Sequence, residues 1–370
     1  MKVAIPKERQ DGESRVAAVP DTVAKMVAMR LTVAVESTAG EAARFLDSSY
    51  KEAGGELVED LDELYRGADI VLRVGAPSDA EIAQMPEGAL LASFLQLGRN
   101  PEVVEKLAAR KITAFALELL PRISRAQSMD ALSSQASLAG YKAVLLGADR
   151  LSRIMAMQMT AAGTLVPAKV FVLGAGVAGL QAIATARRLG AVVEAFDVRA
   201  AVREEVESLG AKFVQLPIET SEGEGGYAKA QSEDYLRRQR ELLAERVAAS
   251  DLVVTTASIP MGRAPILLSA EMIESMRPGS VVIDLAAETG GNTELTQPGV
   301  EIEHNGVKIL GFTNLAAMVS THASQTYARN LYNLVALLVK DGALNLDFGD
   351  EIVAAACVCR DGEVLWRPRL

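Results

Sequence analysis

No run in the 370 residues approaches the roughly 18 uninterrupted apolar residues that a membrane span requires. The chain is therefore expected to be soluble. Met1-Lys2-Val3-Ala4-Ile5-Pro6-Lys7-Glu8 is charged from the outset and lacks a long apolar stretch with a cleavage-like end, so no signal peptide and a cytoplasmic location are expected. Cysteine is nearly absent: Cys357 and Cys359 are the two present. Two ligands at i and i+2 make no four-ligand zinc site, whereas a strand would point both to one face, so buried strand cysteines are expected. The two histidines, His304 and His322, have no second histidine or acidic cluster at metal-ligand spacing and read as surface or cap residues. Positive charge is in deficit, with 38 Lys and Arg against 48 Asp and Glu. A formal charge of -10 disfavours nucleic acid as a partner, although local basic sites for phosphates remain open. Walker A, G-x-S-x-G, H-E-x-x-H and calcium-loop patterns are all missing, as are fixed-period repeats and low-complexity tails.

What is present has the balance of a globular protein, 49% apolar and 23% charged, in a chain long enough for two domains. From about residue 20 to 120, strand-like runs at Thr32 to Glu36, Ile70 to Val74, Leu90 to Phe94 and Thr113 to Leu119 alternate with helical runs such as Pro101 to Lys111. Alternation of this kind indicates a parallel sheet covered by helices. Ser133 to Met159 carries helical spacing broken by Lys142, Asp149, Arg150 and Arg153, and reads as one or two long helices linking two domains.

A second alternating block follows, with strands at Val170 to Leu173, Val192 to Asp197, Phe213 to Leu216, Leu252 to Ala257 and Val281 to Leu285. Helices are expected at Val177 to Leu189, Val202 to Leu209, Glu233 to Ala248 and Ala270 to Met276, and Gln325 to Val339 is expected to return to the first domain. The fold class is α/β: two Rossmann-like domains with parallel sheets, joined by long helices. The boundaries expected are 1–132 with 314–370 for the first domain and 133–313 for the second.

Gly174-Ala175-Gly176-Val177-Ala178-Gly179 follows a β-branched strand and opens a helix, and Asp197 ends the next strand 18 residues after Gly179. In this context Gly174 allows a tight turn, Gly176 lets backbone approach a pyrophosphate, and Gly179 permits close helix packing. The helix N-terminus then stabilises phosphate charge. Asp197 would accept hydrogen bonds from ribose hydroxyls and repel a 2′-phosphate, which favours NAD(H) over NADP(H) even with Arg199 nearby. Ser221 to Ala228 is glycine-rich and polar; it reads either as a plain surface loop or as a lid with Tyr227 near its tip. The mixed charges of Asp234, Arg237, Arg238, Arg240, Glu241, Glu245 and Arg246 read as a solvated helix face. Between Arg122 and Ser137 the chain is polar where a long helix begins, and Arg122, Gln127, Asp130 and Ser133 offer a cation, an amide, an acid and a hydroxyl. That segment is either a capping region or one wall of an interdomain ligand cleft.

Ile5-Pro6-Lys7-Glu8, Glu13-Ser14-Arg15-Val16-Ala17-Ala18-Val19-Pro20 and the stretch from Gly174 to Arg199 together resemble the alanine dehydrogenase and transhydrogenase α-subunit family, over about residues 3 to 365. Arg122 to Ala139, Gly225 to Lys229, Asp284 to Glu288 and Gly290-Gly291-Asn292 resemble its transhydrogenase branch. Gln96 stands in a strand where the alanine enzymes carry a catalytic histidine, Arg73 where they have a lysine, and Glu288 where they have an aspartate. An amide cannot shuttle a proton as imidazole can. Gly12-Glu13, where Asn-Glu is common, is a departure of little weight.

The resemblance implies a homodimer with NAD(H) between two α/β domains, and membrane-embedded and NADP(H)-binding subunits on other chains, so that this chain is held peripherally at the cytoplasmic face of the membrane. It implies direct hydride transfer between NAD(H) and NADP(H), coupled to proton translocation, with no acid or base required. By the same resemblance Gln127, Arg122, Asp130 and Ser133 surround the nicotinamide and its ribose. Gly174, Ala175, Gly176, Val177, Gly179, Asp197, Val198 and Arg199 hold the rest of the dinucleotide, Gly226 and Tyr227 belong to a mobile flap, and Gln239 and Ser258 make further nucleotide contacts. Two other functions stay open at this stage: an amino-acid dehydrogenase and a catalytically silent NAD-dependent redox sensor.

Overall fold

Strands that are near-continuous apolar runs can be satisfied only in a sheet covered on both faces, and both halves of this chain contain such runs, Ile70–Leu72 and Leu90–Ser93 in one and Lys169–Leu173 and Leu252–Thr255 in the other. The computed structural model describes residues 1–215, 233–259 and 261–367. They fall into two compact units, Met1–Gln135 with Ala316–Leu370, and Ala136–Leu315.

In the first unit the strands β1 (Lys2–Ile5), β2 (Thr32–Glu36), β3 (Glu56–Val58), β4 (Ile70–Leu72), β5 (Leu90–Ser93) and β6 (Thr113–Ala116) are all parallel, in the spatial order β3-β2-β1-β4-β5-β6. Successive side chains alternate between two cores: Val3, Ile5, Ile70, Leu72 and Leu90 enter one, while Ala4, Val71 and Leu91 enter the other. The strand expected to run to Leu119 ends at Ala116, and Leu117–Leu119 form a 3-10 turn.

The helix Ala131–Arg150 carries the chain from the first unit into the second. It stops nine residues short of the Met159 expected from the helical spacing. Beyond Arg150 the backbone is held by distant groups instead: Ser152 N donates to Gly279 O at 3.4 Å and Arg153 Nη1 to Asp251 Oδ1 at 2.7 Å. An exposed hairpin of β7 (Gln158–Thr160) and β8 (Gly163–Leu165) comes next.

The second unit contains β9 (Lys169–Leu173), β10 (Val192–Phe196), β11 (Lys212–Val214), β12 (Leu252–Thr255), β13 (Val281–Asp284), β14 (Glu301–His304) and β15 (Val307–Leu310). Their order is β11-β10-β9-β12-β13-β15-β14, parallel except for the edge strand β14. The six parallel strands of each unit thus share one order, 3-2-1-4-5-6 when numbered along the chain, that of the dinucleotide-binding α/β fold. Val170, Val172, Leu252 and Val254 meet Ala182, Ile183 and Ala186 of the helix Val177–Arg188 on one face. Phe171 and Val253 meet Leu243 and Val247 of the helix Glu233–Ala248 on the other.

From Ala316 the chain is again in the first unit. The helix Ser320–Leu338 buries Tyr327, Ala328, Leu331, Leu334, Val335 and Leu338, an i, i+1, i+4, i+7, i+8, i+11 stripe, in the first core. A short hairpin of β16 (Val339–Lys340) and β17 (Ala343–Leu344) follows, and then β18 (Cys357–Arg360) and β19 (Glu363–Val364) extend the sheet antiparallel beyond β6. Both cysteines are buried there, but they do not share a face. The register shifts between Cys357, opposite Phe115, and Cys359, opposite Ala114, and this bulge sends Cys357 into one core and Cys359 into the other. His304 bonds Glu274 at 2.7 Å and His322 is exposed.

Three charges are buried beyond the carboxyl ends of the central strands β1 and β4. Arg73, 1% exposed, donates from Nη1 to Glu81 Oε1 at 2.6 Å and from Nη2 to Glu8 Oε2 at 3.1 Å, and Glu8 Oε1 accepts from Val74 N at 2.6 Å. Glu81 also closes a capping box with Ser78, accepting from Ser78 N at 2.8 Å. Burial pushes the Glu8 carboxyl up against the pull of Arg73. At Glu81 burial acts the same way, but Arg73 and the Ser78 bonds outweigh it and hold the group below its usual range.

Replacing Arg73 by Met strands two buried carboxylates and should cost about 3–5 kcal/mol in urea unfolding. Making Glu8 and Glu81 apolar as well should recover most of that loss, whereas a triple variant as unstable as the single one would show that the site matters through packing alone. Burial raises the thiols of Cys357 to about 11 and Cys359 to about 12. At pH 8 roughly one part in a thousand or less is thiolate, the reactive form. A chromogenic disulfide reagent should therefore titrate neither cysteine until the chain is unfolded; rapid labelling of the native protein would contradict the burial.

Candidate functional site

In the second unit β9 lies between β10 and β12, the point where successive connections depart in opposite directions and leave a crevice at the strands' carboxyl ends. Gly174 stands at that end of β9 with φ +99°, and a Cβ there would lie 2.4 Å from Thr256 Oγ1. Its N–H donates to Phe196 O at 2.8 Å, and its carbonyl accepts from Thr256 Oγ1 at 3.1 Å. The turn is thereby tied to the ends of both neighbouring strands. Gly179 packs the first helical turn against it, since a Cβ at Gly179 would fall 1.9 Å from Gly174 O. Gly176 behaves differently: a Cβ there would meet nothing within 4 Å. Gly176 is the N-cap of the helix Val177–Arg188, so the opening over it lies at the unsatisfied N–H groups of the first turn. Ala175 is buried and Val177 exposed.

Asp197 directly follows β10 and turns its carboxylate back to the glycine turn. Oδ2 accepts from Ala175 N at 2.7 Å and Oδ1 from Arg199 N at 2.9 Å. The Arg199 guanidinium adds two more bonds, Nε to Oδ1 and Nη2 to Oδ2, each 3.0 Å. Four donors thus fill the roughly four lone-pair sites of one carboxylate. Val198 is half-buried against the core. Gln239 is buried with its Oε1 lacking a partner among the described residues, an acceptor left for something else to satisfy. Ser258 is exposed in the loop after β12. Gly226 and Tyr227, and the whole glycine-rich stretch from Ser221 to Ala228, lie outside the described residues.

The loop carrying Ser258 is held by a residue whose role sequence reading left unassigned. Asn292 is fully buried; its Oδ1 accepts from Ala257 N at 3.0 Å and its Nδ2 donates to Ala257 O and Pro265 O, both at 2.8 Å. Asn292 N in turn donates to Asp284 Oδ2 at 2.6 Å, and Thr296 Oγ1 donates to the same oxygen at 2.7 Å. The strand-end acid Asp284 therefore positions an amide, and the amide positions the loop.

In the first unit, Asp130 and Ser133 come together: Ser133 N donates to Asp130 Oδ1 at 2.9 Å and Ser133 Oγ to Oδ2 at 2.6 Å. Asp130 acts as an N-cap acceptor for the helix Ala131–Arg150, so the capping reading applies to these two. Arg122 and Gln127 are exposed, and their side chains have no hydrogen-bond partner among the described residues. Gln127 sits in a 3-10 helix, Ser124–Met129, whose backbone holds Asp130 through Asp130 N to Gln127 O at 3.2 Å.

The residues that bear on amino-acid oxidation are otherwise engaged. Gln96 lies outside the strand in which it was expected, in a loop after β5 with φ +56°, because Leu95 N and Leu97 N both donate to the Glu118 carboxylate at 3.1 to 3.2 Å. Arg73 is enclosed by Glu8 and Glu81. Arg15 is held by Glu13 through Nε at 2.8 Å and Nη2 at 2.6 Å, and by Gln135 through Nη1 at 2.9 Å. Glu288 Oε1 accepts from Asn314 N at 2.8 Å. A substrate carboxylate arriving at Arg73 would have to displace an acid already there.

A glycine turn with open space above it, free helix N–H groups, a strand-end carboxylate and an unsatisfied buried amide oxygen suit a ligand with phosphates and a vicinal diol. Comparison with known proteins agrees. A family model described as the alanine dehydrogenase/PNT N-terminal domain matches residues 4–139, and one described as the C-terminal domain matches residues 143–367. The chain is 48% identical over 375 residues to the first part of the NAD(P) transhydrogenase subunit alpha of Rhodospirillum rubrum, covering 99% of this chain and 98% of that one. It is 27% identical over 374 residues to the alanine dehydrogenase of Halomonas elongata, covering 99% and 95%. The crystal structure of transhydrogenase from Sinorhizobium meliloti superposes with a TM-score of 0.87 at 42% identity over 98% of each chain. Both family models and the higher identity lead to one conclusion: the chain belongs to the alanine dehydrogenase/PNT family, on the side of the NAD(P) transhydrogenase α subunits.

Proposed function

We propose that this chain is the NAD(H)-binding component of a proton-translocating transhydrogenase, exchanging hydride directly with NADP(H) held on a partner subunit. The observation that carries the reading is the Asp197 carboxylate turned onto the Gly174–Gly179 turn, with open space over Gly176. A diol at Asp197 would replace the two guanidinium bonds of Arg199 and leave the two backbone bonds in place. The Arg199 side chain is 34% exposed, so it can swing out to solvent as the hydroxyls take its place on the carboxylate. A 2′-phosphate would bring negative charge to the same carboxylate. The helix N-terminus at Gly176 and Val177 receives the pyrophosphate, while Gln239 and Ser258 are available for further contacts.

The nicotinamide supplies the hydride chemistry when bound, and the chain supplies orientation. Arg122 and Gln127 suit that task because they are exposed and unengaged, while Asp130 and Ser133 fix the segment that carries them. No helix among the described residues is long and apolar enough to cross a membrane, so proton movement is assigned to membrane-embedded partner subunits, with this chain at their cytoplasmic face. A homodimer is supported by the β7–β8 hairpin, where Met157, Met159, Leu165 and Val166 are all exposed; such a cluster on an unpaired hairpin asks for cover.

Calorimetric titration of the full chain at one ionic strength should give much tighter binding for NADH than for NADPH, and Asp197→Ala should weaken NADH binding by about 1–3 kcal/mol. Equal affinities for the two nucleotides would overturn the assignment. Gln127→Asn keeps the amide but shortens its reach by one methylene. In the complex reconstituted with the NADP(H)-binding and membrane subunits it should slow hydride transfer about tenfold or more while changing NADH affinity far less. Normal transfer with badly weakened NADH binding would make Gln127 an ordinary binding residue.

A further inference from the structure

The first unit has a pocket of about 400 Å³, none of whose lining residues is given a role above, formed by the start of the helix Pro20–Ala28, the loop through Arg44 to Ser49, and the helix Ser320–Leu338. That volume lies in the range of small-molecule sites. Two guanidiniums line it, Arg44 and Arg329, and neither has a hydrogen-bond or ion-pair partner among the described residues. Several other arginines are engaged, among them Arg9 with Glu36, Arg15 with Glu13, Arg73 with two glutamates, Arg125 with Asp350 and Arg153 with Asp251. Both residues are exposed, so a solute can reach the two guanidiniums. Ser49 and Gln325 add a hydroxyl and an amide, and Val19 and Phe45 give an apolar wall.

The one carboxylate of the lining, Asp21, is already bonded to Lys25 Nζ at 2.8 Å, which offsets its charge. The first turn of the helix Pro20–Ala28 contributes its own partial positive charge. The walls are fixed by bonds that have nothing to do with the rest of the protein's chemistry. Ser320 Oγ donates to Ala42 O and Thr321 Oγ1 to Ala43 O, each at 3.0 Å, so the long helix clamps the loop. Tyr50 OH donates to Ala18 O at 2.8 Å, and Thr38 N donates to Asp47 Oδ1 at 2.9 Å, closing the loop on itself. Arg44 is held in the left-handed region, φ +69°, at the C-cap of the turn Glu41–Ala43. The backbone of the walls is therefore organised in advance, which lowers the entropy lost on binding.

We propose that this pocket binds a small organic dianion with an apolar body, its charged group clasped by Arg44 and Arg329 and its body laid against Val19 and Phe45. The planar fork of arginine matches both phosphate and carboxylate, so a phosphate monoester and a dicarboxylate share the chemistry. The site is independent of the nucleotide reading above.

The test is calorimetric titration of the full chain, in the presence of saturating NADH, with phenyl phosphate and with phthalate; inorganic phosphate and benzyl alcohol serve as the charge alone and the body alone. One of the two aromatic anions should bind with a dissociation constant in the submillimolar range, and which one binds more tightly identifies the charged group. Inorganic phosphate and benzyl alcohol should each bind about tenfold more weakly or not at all, since each lacks one half of the site. Arg44→Gln with Arg329→Gln should weaken the anion about tenfold or more, because charge-assisted bonds are lost, while circular dichroism stays unchanged. Should the double variant misfold, the single changes Arg44→Lys and Arg329→Lys keep the charge but lose the fork, and each should still weaken binding measurably. No binding of either anion, binding unaffected by these variants, or anion binding that appears only when NADH is left out would each overturn the proposal.

Discussion

Two parallel strands cannot be joined by a tight turn; the chain must first cross back over one face of the sheet, and it does so right-handedly. That constraint organises both units. Every loop that leaves the carboxyl end of a strand gathers on one edge, and wherever successive crossovers depart to opposite faces the edge opens. In the second unit the opening falls between β9 and β12, and the glycine turn, Asp197, Ser258 and the Asn292 network all stand along that edge.

The first unit has the same strand order and fills the equivalent place differently. Between β1 and β4, where the second unit has Gly174 beside Thr256, the loop after β1 carries Glu8, bonded to Val74 N and Arg73 just beyond β4. A carboxylate already occupies the backbone donor, so no anion can use it. One sheet order thus supports an open phosphate-type turn in one unit, with Gly174 directly after β9, and a closed ion cluster in the other, with Glu8 three residues beyond β1.

The features legible in the sequence were those decided by near neighbours. Apolar runs marked β2, β9, β10, β12 and β13 within a residue or two, the glycine spacing marked the turn, and Asp197 stood where a strand-end acid should. The helix Glu233–Ala248 has the bounds its pattern indicated. The features that escaped depend on partners far along the chain. Arg150 ends a helix because Gly279 and Asp251 capture Ser152 and Arg153 just beyond it, Gln96 leaves its strand because Glu118 binds the backbone on both sides, and Asn292 reaches across 35 residues to Ala257. Helical periodicity in one window holds no trace of an acceptor more than a hundred residues away. Gly290-Gly291-Asn292 was visible as a motif, but its work as a clamp on the loop after β12 required the fold.

The bulge in β18 has a consequence for the chain's tail. Cys357 serves one core, and Val358 and Cys359 both serve the other, so the strict two-residue period is broken once. After it, Val364 and Trp366 pack on the second core while Leu365 between them is 49% exposed. Parity, rather than reach, therefore governs this segment: the bulge absorbs one residue, so taking out Val358 would restore strict alternation and leave Trp366 on the second core, whereas a strand of full length without the bulge would turn Trp366 outward and Leu365 in.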